Sequence, residues 1–384
     1  MGNVKPRVAL VQSAIGQYRT DFIAEVRGHF GPRITVACGD RSFDRYATAI
    51  PADLIDVHLT NVFLLGNRFL YQKGIAQVIR KNKVLVMELN PRVLSVWTAV
   101  LLKRFLGKRV ILWGHFNGRT SGEIRPRFSR RLLASMADSI IAYTELDVEK
   151  FVSLLPTMPI YLAANATERQ SSIAPAPEGQ RSNFVYSGRL MPTKNVEVLL
   201  RGFMRAVNSE LADSGSELLI IGDGPSREAL ESLANELGIA QRTRFLGEVF
   251  DSERLDNVYG RAVAALCGGY VGLNITQALS RGVPFIYCRG ANHSPEISLA
   301  VNGFNSFVAE NANPEDFSVL MTKAFRESRE ALVRHKEIQA QTLRTYSVES
   351  MSKGFIAAAE MEKGCRERRT HWGPRRRAVD HKPW

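Results

Sequence analysis

Two basic residues follow a glycine turn near the middle of the chain. The strand-like run 184–186 turns at Gly188 and is followed by Arg189 and Lys194. Apolar residues at i, i+3, i+4 and i+7 from Val196 then indicate a helix. A strand that turns through glycine into a helix leaves backbone N–H groups and a positive helix end at the turn. The segment therefore predicts a site for a polyanion such as a diphosphate. The alternative is an ordinary turn with two solvated cations.

One histidine stands at the end of a predicted strand. His115 comes almost directly after the apolar run 110–113, and a loop ending in Gly16 follows the first predicted strand. Ligands of open parallel sheets bind beyond the carboxyl ends of the strands. A neutral imidazole at that edge could exchange a hydrogen bond with a sugar hydroxyl. The competing interpretation is a hydrogen-bonded loop histidine without a ligand.

Short β-branched runs alternate with amphipathic segments throughout the chain, which indicates α/β domains with parallel sheets. The predicted strands are 7–11, 34–37, 84–88, 110–113, 139–143, 183–186, 218–221, 244–246, 262–266 and 285–288. The predicted helices are 21–30, 69–81, 93–105, 128–136, 145–154, one from Lys194, one ending at Leu237, 273–281, 314–334 and 348–362.

Composition places a domain boundary after the first half. Residues 173–182 are rich in Pro, Gly and Ser and lack periodicity, as a linker does. We therefore predict five segments: an N-terminal domain 1–170, a linker 171–182, a C-terminal domain 183–347, a closing helix 348–363 and a basic, disordered tail 364–384.

Charge is distributed unevenly along the 384 residues, whose formal net charge is +13. Residues 1–170 carry a net +11, the middle 171–363 carries −3 and the tail carries +5. A basic first half suits an anionic membrane surface, nucleic acid or a phosphorylated acceptor, or is simply a solvated face. The four separated cysteines and the lack of an apolar leader or of a long apolar run favour a cytoplasmic protein.

A basic cluster surrounds the predicted helix 93–105. Its members are Lys103, Arg104, Lys108, Arg109, Arg125, Arg127, Arg130 and Arg131. Such cations beside an apolar helix suit acidic lipid, although a core helix with cations at its C-terminus would show the same pattern.

Taken together, the motifs resemble the family 4 glycosyltransferases, which are retaining enzymes with two facing Rossmann-like domains, the GT-B fold. The matching segments are 187–190 with Lys194 and Asn195, 219–225, 244–247, 272–284, 295–296 and 302–303, and Asn165 lies where the family has an asparagine loop. The likeness is dense from about residue 160 to 310 and thinner before it.

The resemblance implies an active site in the interdomain cleft and a role for each matching residue. Arg189 and Lys194 would hold the donor's diphosphate, and His115 would face the sugar. The remaining donor-binding residues would be Gly16, Gly188, Phe245, Leu246, Gly272, Leu273, Asn274 and Gln277. The chain departs from the family at two positions where glutamates are common, which here hold Gly269 and Gln277. Gln277 still offers a hydrogen bond to the ribose, whereas Gly269 offers no side chain.

These implications define the expected function: retaining transfer of a hexose from a nucleoside-diphosphate sugar to a hydroxyl of a glycan or lipid-linked acceptor in surface polysaccharide synthesis. We expect no cofactor and no metal, because the cations would stabilise the leaving diphosphate. The alternatives are a non-catalytic nucleotide-sugar-binding protein and a sugar-nucleotide epimerase or hydrolase on the same fold. A nucleic-acid partner is not expected, since no recognised module accompanies the charge. The expected location is the cytoplasm, with peripheral contact to the inner face of the cell membrane.

Overall fold

The computed structural model describes residues 6–43, 48, 50–117, 128–175, 181–328 and 332–361. The strands are β1 (Val8–Gln12), β2 (Ile34–Cys38), β3 (Val57–His58), β4 (Thr60–Leu64), β5 (Phe69–Lys73), β6 (Val84–Glu88), β7 (Arg109–Trp113), β8 (Ser139–Ala142), β9 (Ile160–Leu162), β10 (Asn183–Ser187), β11 (Leu218–Ile221), β12 (Thr243–Gly247), β13 (Ala262–Cys267), β14 (Phe285–Cys288) and β15 (Ser306–Ala309). The helices are α1 (Thr20–Phe30), α2 (Ile75–Lys81), α3 (Leu94–Leu102), α4 (Phe128–Ser135), α5 (Glu145–Leu154), α6 (Val196–Val207), α7 (Arg227–Glu236), α8 (Ser252–Gly260), α9 (Asn274–Leu279), α10 (Pro314–Ser328), α11 (Leu332–Thr345) and α12 (Val348–Glu360).

The first half of the chain forms a seven-stranded parallel sheet in the order β3-β2-β1-β6-β7-β8-β9. In its central register Val8 pairs with Ile34 on one side and with Val84 on the other. Helices α2 to α5 cover one face, and α1 with α12 cover the other. Because both faces are covered, the central strands read as continuous apolar runs.

The second half forms a six-stranded parallel sheet in the order β12-β11-β10-β13-β14-β15. Helices α6, α7 and α10 pack on one face, and α8, α9 and α11 pack on the other. Strand order reverses between β1 and β6 in the first sheet and between β10 and β13 in the second. In sheets of this type the crevice at such a reversal is where ligands bind. The predicted α/β architecture with parallel sheets is confirmed.

Helix α12 returns to the first sheet after the chain has built the second. The ring of Phe355 lies 5.5 Å from that of Phe22 and 5.6 Å from that of Trp113. The buried guanidinium of Arg109 donates to the carbonyls of Ala358, at 2.8 Å, and Ala359 at the end of this helix. The prediction that Arg109 belongs to a basic surface is therefore wrong, because its charge is used inside the first domain.

One predicted helix differs from the structure in its first part. The segment 69–81 is a strand, β5, followed by the shorter helix α2, and β5 pairs with β4 as an antiparallel hairpin. Gly74 separates the two elements with a φ of +93°, a conformation that interrupts a helix and that glycine adopts without strain. Over the predicted helix 314–334, α10 covers Pro314–Ser328 and α11 begins at Leu332, and residues 329–331 lie outside the described part of the chain.

Part of the predicted linker contacts the second domain. The N–H of Ala174 donates to Asp256, and its carbonyl accepts from Gln339. The predicted disordered tail and the predicted cations Arg125 and Arg127 lie outside the described residues. Among the helices that are described, none combines the length and the apolar character that crossing a bilayer requires.

Candidate active site in the cleft

A cavity of about 600 Å³ opens at the carboxyl ends of the first sheet. Gly16 and His115 line it from the first domain, and Leu273 lines it from the second. Three of the predicted site residues therefore share one wall, although they are far apart in the sequence. The cavity also exposes Glu88 and Asn165, which the predicted site did not include.

His115 is held by a buried carboxylate. Its Nδ1 lies 2.9 Å from Oδ2 of Asp147, and the other carboxylate oxygen of Asp147 accepts from the N–H of Phe116 at 2.9 Å. The hydroxyl of Thr144 donates to Asp147 and in turn accepts from its backbone N–H, which caps α5. The imidazole is thus fixed in position before any ligand arrives.

Hydrogen bonds keep Asp147 ionised despite its burial. Burial alone raises the pKa of its carboxyl, but the bonds from His115, Phe116 and Thr144 outweigh this and lower the pKa below its ordinary value. An ionised carboxylate only accepts, so Nδ1 of His115 carries the proton in this pair. When the ring is neutral, Nε2 is therefore left as an acceptor.

Glu296 of the second domain reaches the same cluster. Its Oε1 accepts from the amide of Asn165 at 2.8 Å and lies 3.8 Å from Nε2 of His115. Asn165 in turn accepts from the guanidinium of Arg19 at 2.8 Å. A continuous polar chain therefore joins the two domains beside the cavity, and its charges are almost completely buried.

Aromatic rings surround the guanidinium of Arg19. It lies between 5.2 and 5.8 Å from four ring centroids, those of Tyr18, Phe22, Trp113 and Tyr143. Cation–π attraction thus helps to keep this charge at the cavity wall.

Arg130 forms part of the cavity wall rather than of a basic outer surface. Its Nη1 donates to the carbonyl of Leu89 at 2.7 Å and to that of His115 at 3.0 Å. Burial lowers the pKa of Arg130, while the negative charges of Asp147 and Glu88 oppose this shift. The prediction that Arg130 faces a membrane is therefore wrong, because the side chain turns inward to bind strand-end carbonyls.

The two cations predicted to bind phosphate, Arg189 and Lys194, follow the carboxyl end of β10, a central strand of the second sheet. Arg189 is exposed, and Lys194 is half-buried with its ammonium donating to the carbonyl of Tyr270 at 2.8 Å. Burial lowers the pKa of Lys194, and the charge of Arg189 acts in the same direction. Neither residue lines the cavity itself.

A glycine turn, residues 268–272, packs directly against this phosphate segment, residues 187–195. The amide of Asn195 donates to the carbonyl of Gly268, and a Cβ built on Gly268 would lie 2.5 Å from the carbonyl oxygen of Asn195. A Cβ on Gly269 would lie 2.4 Å from the carbonyl oxygen of Thr193 and 3.0 Å from Cα of Lys194. In the observed backbone, no side chain fits at Gly269 without a shift of the neighbouring backbone.

His293 is hydrogen-bonded to the backbone of the glycine turn. Its Nε2 lies 2.8 Å from the carbonyl oxygen of Cys288, and its Nδ1 lies 3.2 Å from the backbone N of Val271. A carbonyl accepts and an N–H donates, so the ring is neutral with its proton on Nε2. Burial lowers the pKa of His293, and the nearby charge of Lys194 acts in the same direction.

One backbone N–H at the start of α9 is already hydrogen-bonded to a side chain of the same helix. The N–H of Gly272 donates to Oδ1 of Asn274 at 2.9 Å, and the carbonyl of Leu273 accepts from the N–H of Gln277. A phosphate at Gly272 would therefore have to replace the side chain of Asn274.

Gln277 links helix α9 to the segment 187–195. Its Oε1 accepts from the hydroxyls of Ser187, at 2.8 Å, and Tyr259, at 3.1 Å. Phe245 and Leu246, predicted to contact the base, lie half-buried at the carboxyl end of the edge strand β12.

Sequence reasoning missed several residues of the site: Arg19, Glu88, Asp147 and Glu296. A local signal existed for Asp147, which follows Thr144 at the spacing of a helix cap. Glu296 lay inside a matching motif but had no assigned role. No local pattern pointed to Arg19 or Glu88.

Comparison with known proteins finds a match to a family model. Residues 168–341, slightly under half of the chain, match the family model described as glycosyl transferases group 1. No match was found among curated proteins.

Solved structures share the fold over almost the whole chain. HepE (Alr3699) of Anabaena, crystallised with UDP, has a TM-score of 0.66 at 13% identity and covers 92% of this chain and 99% of its own. Sucrose-phosphate synthase of Thermosynechococcus elongatus has a TM-score of 0.63 at 14% identity, covering 92% and 98%. The lipopolysaccharide outer core galactosyltransferase WaaB has 0.61 at 18%, covering 91% and 98%. The GT-B fold is thereby confirmed, and the family match with the fold supports a glycosyltransferase.

Proposed function

We propose that this chain is a retaining glycosyltransferase of family 4 that transfers a hexose from a nucleoside-diphosphate sugar. The cavity of about 600 Å³ carries the proposal, because its wall joins Gly16 and His115 of one domain to Leu273 of the other. Its volume suits a sugar, and its polar groups suit hydroxyls. HepE, a structure of similar fold, holds UDP, which supports a nucleotide-sugar donor here.

In this proposal the charge of the leaving group is stabilised by the protein's own cations. The acceptor oxygen attacks the anomeric carbon on the face from which the diphosphate departs, and the bond from that carbon to the phosphate oxygen breaks. Negative charge then grows on the diphosphate, which Arg189 and Lys194 would bind. The acceptor's proton passes to the leaving phosphate oxygen, so no protein carboxylate and no metal is needed.

The role of the sugar-side residues follows from their hydrogen bonds. His115, oriented by Asp147, would accept a hydrogen bond from a sugar hydroxyl through Nε2. Gly16 would let the β1 loop approach the sugar, and Gln277 would bind the ribose. The backbone of Phe245 and Leu246 would meet the base, and Gly188, Gly272 and Asn274 would flank the diphosphate.

We further propose that the acceptor is a hydroxyl of a glycan or lipid-linked carrier in surface polysaccharide synthesis. The basic first half of the chain and the fold likeness to WaaB, whose name describes a lipopolysaccharide galactosyltransferase, support this choice. The site of action would be the cytoplasmic face of the membrane.

Single substitutions of the two cations test the proposal. A thermal-shift screen with nucleoside diphosphates and their sugars first identifies the donor, because a bound donor stabilises the fold. We then expect Arg189→Ala and Lys194→Ala each to lower donor turnover about 100-fold, as when one charge-stabilising donor is lost from an active site. Arg201→Ala, which removes an exposed cation of α6, is the control and should leave turnover unchanged.

The same assay separates the alternatives. Unchanged turnover in both variants contradicts the diphosphate role. Tight donor binding without turnover across an acceptor panel indicates a nucleotide-sugar-binding protein. The lack of a side chain at Gly269, and of space for one, favours this alternative. Donor consumption without acceptor, followed by NMR, indicates a hydrolase or an epimerase.

A further inference from the structure

The outer face of α3 carries no charge although the helix lies at the protein surface. None of its nine residues is charged. Leu101 is 56% exposed and Leu102 is 41% exposed, and the turn that follows adds Phe105 at 87% and Leu106 at 47%. Surface helices normally place polar residues on the face turned to water. The inner face is accounted for separately by three residues buried under the first sheet: Val96, Ala99 and Val100.

Helix α4 continues this surface. The ammonium of Lys103 donates to the carbonyl of Met136, so the ends of the two helices meet. On the adjoining turn of α4, Leu132 is 40% exposed. We call Leu101, Leu102, Phe105, Leu106 and Leu132 the apolar patch.

Exposed cations lie beside the apolar patch. Within the described part, Arg104 and Arg131 are exposed beside the patch, and the ammonium of exposed Lys83 lies next to Gly107. The carboxylate of Asp138 is already paired with Lys103 at 3.1 Å.

We propose that the apolar patch docks on a bilayer rich in anionic lipid. Phe105 and the leucines would enter the boundary between headgroups and acyl chains, while Lys83, Arg104 and Arg131 would meet the lipid phosphates. A second copy of the chain is a poorer occupant, because a two-fold contact would bring these cations against the same cations. The inference deepens the proposed function, since it would hold the cleft near a lipid-linked acceptor.

Vesicle flotation of the full chain tests this surface. We expect the protein to float with phosphatidylglycerol–phosphatidylcholine vesicles, less in high salt, and not with phosphatidylcholine alone. Phe105→Glu should lower the partition coefficient about tenfold or more, because it removes an aromatic side chain from the apolar boundary. The matched control is Phe250→Glu, since Phe250 is 67% exposed in the second domain. Arg104→Glu with Arg131→Glu should abolish the preference for phosphatidylglycerol.

The outcomes are distinct from those of the donor assay. No flotation of the wild-type chain, or equal loss in Phe105→Glu and Phe250→Glu, overturns the docking surface. The docking surface is also overturned if sedimentation shows a dimer of the wild-type chain and Phe105→Glu dissociates that dimer without changing flotation. Turnover with a water-soluble acceptor should survive Phe105→Glu, so that failure of docking leaves the proposed reaction standing and failure of turnover leaves the docking result standing.

Discussion

Nδ1 of His115 lies 2.9 Å from a carboxylate oxygen of Asp147, a residue that follows it by 32 positions and lies in the first turn of α5. The pair fixes the ring's proton on Nδ1 and leaves Nε2, which lies 3.8 Å from Oε1 of Glu296, as the acceptor of a neutral ring. The same carboxylate anchors the strand-end backbone through Phe116. One buried acid thus orients the imidazole and holds the loop that carries it.

Replacing that acid by its amide tests the orientation. In Asp147→Asn the amide nitrogen would face Nδ1, and the neutral ring would have to move its proton to Nε2. We expect turnover to fall about tenfold or more, because a hydrogen bond to the sugar worth about 1–2 kcal/mol is lost. His115→Ala should cost a similar factor, and the double variant should cost little more, as residues acting as one unit do. Fully additive losses in steady-state kinetics would contradict the pairing.

Acid should weaken the first domain through the same residue. The folded pKa of Asp147 lies below its ordinary value, so the unfolded chain takes up this proton at a higher pH than the folded protein does. The stabilisation is present above about pH 4 and is lost as the pH falls below it. Urea unfolding followed against pH should show a steeper acid decline for the wild type than for Asp147→Asn. Equal slopes would show that the carboxylate contributes nothing to stability.

Crowding at the glycine turn predicts the effect of adding a side chain. Gly269→Ala would place a methyl group against the carbonyl of Thr193, so we expect a loss of stability of about 1–3 kcal/mol and weaker donor binding. Gly269→Glu should not restore a catalytic carboxylate and should behave worse than Ala. The control is Gly290→Ala, whose Cβ would meet its nearest atom at an ordinary 3.7 Å. Calorimetry and donor titration give the readouts, and a stable, faster Gly269→Glu variant would refute the steric account.

Gln277 allows the opposite experiment, in which the glutamate that is common in family 4 glycosyltransferases is introduced. Glu would keep both acceptor contacts, to Ser187 and Tyr259, and would strengthen a bond to a ribose hydroxyl. We expect Gln277→Glu to bind the donor about fivefold more tightly by isothermal titration. Gln277→Leu leaves both hydroxyls unpaired and should lower stability by about 1–3 kcal/mol. If the glutamate variant binds the donor more weakly, the side chain does not contact the ribose.

His335 predicts a pH dependence confined to the second domain. The ring is buried, with Nδ1 hydrogen-bonded to the carbonyl of Gly282, and burial together with the charge of Arg181 lowers its pKa to about 4. The unfolded chain binds this proton near pH 6.5, so stability is full above that pH and falls between pH 6.5 and about 4. The loss should approach about 3 kcal/mol. His335→Asn keeps a donor but does not titrate, so its unfolding free energy should fall less over this range in urea melts.

Most of the sheet framework followed from local pattern. Strands such as β6, β11 and β14 have the predicted bounds, because buried parallel strands are short continuous apolar runs. The helix predicted over 69–81 was wrong over Phe69–Lys73, because the apolar spacing there also fits a hairpin strand. Pairing of β5 with β4, and the bond from the N–H of Gln72 to the hydroxyl of Ser95, decided between them. Such contacts are not visible in a window of ten residues.

The residues of the candidate site also fall into those that a local pattern predicts and those that depend on long-range contacts. Residues on motifs at strand ends were predicted because that position alone implies a crevice. The structure places His115 on the cavity wall and Lys194 outside it. Glu296 was not assigned, since its role depends on Asn165, 131 positions earlier in the chain. Long-range polar partners of this kind are set by how the two domains meet, and no spacing in the sequence encodes that meeting.

The return of α12 to the first sheet has a consequence for synthesis. The interior of the first domain includes Phe355 and Met351, so residues 1–170 do not contain all of its packing surface. A ribosome adds about 5–20 residues each second, and the first domain must therefore wait roughly 10 s or longer after Ala166 emerges before its last helix exists. During that interval the rings of Phe22 and Trp113 lack their final cover. We expect a nascent chain cut before Val348 to be recognised by chaperones and proteases as unfinished.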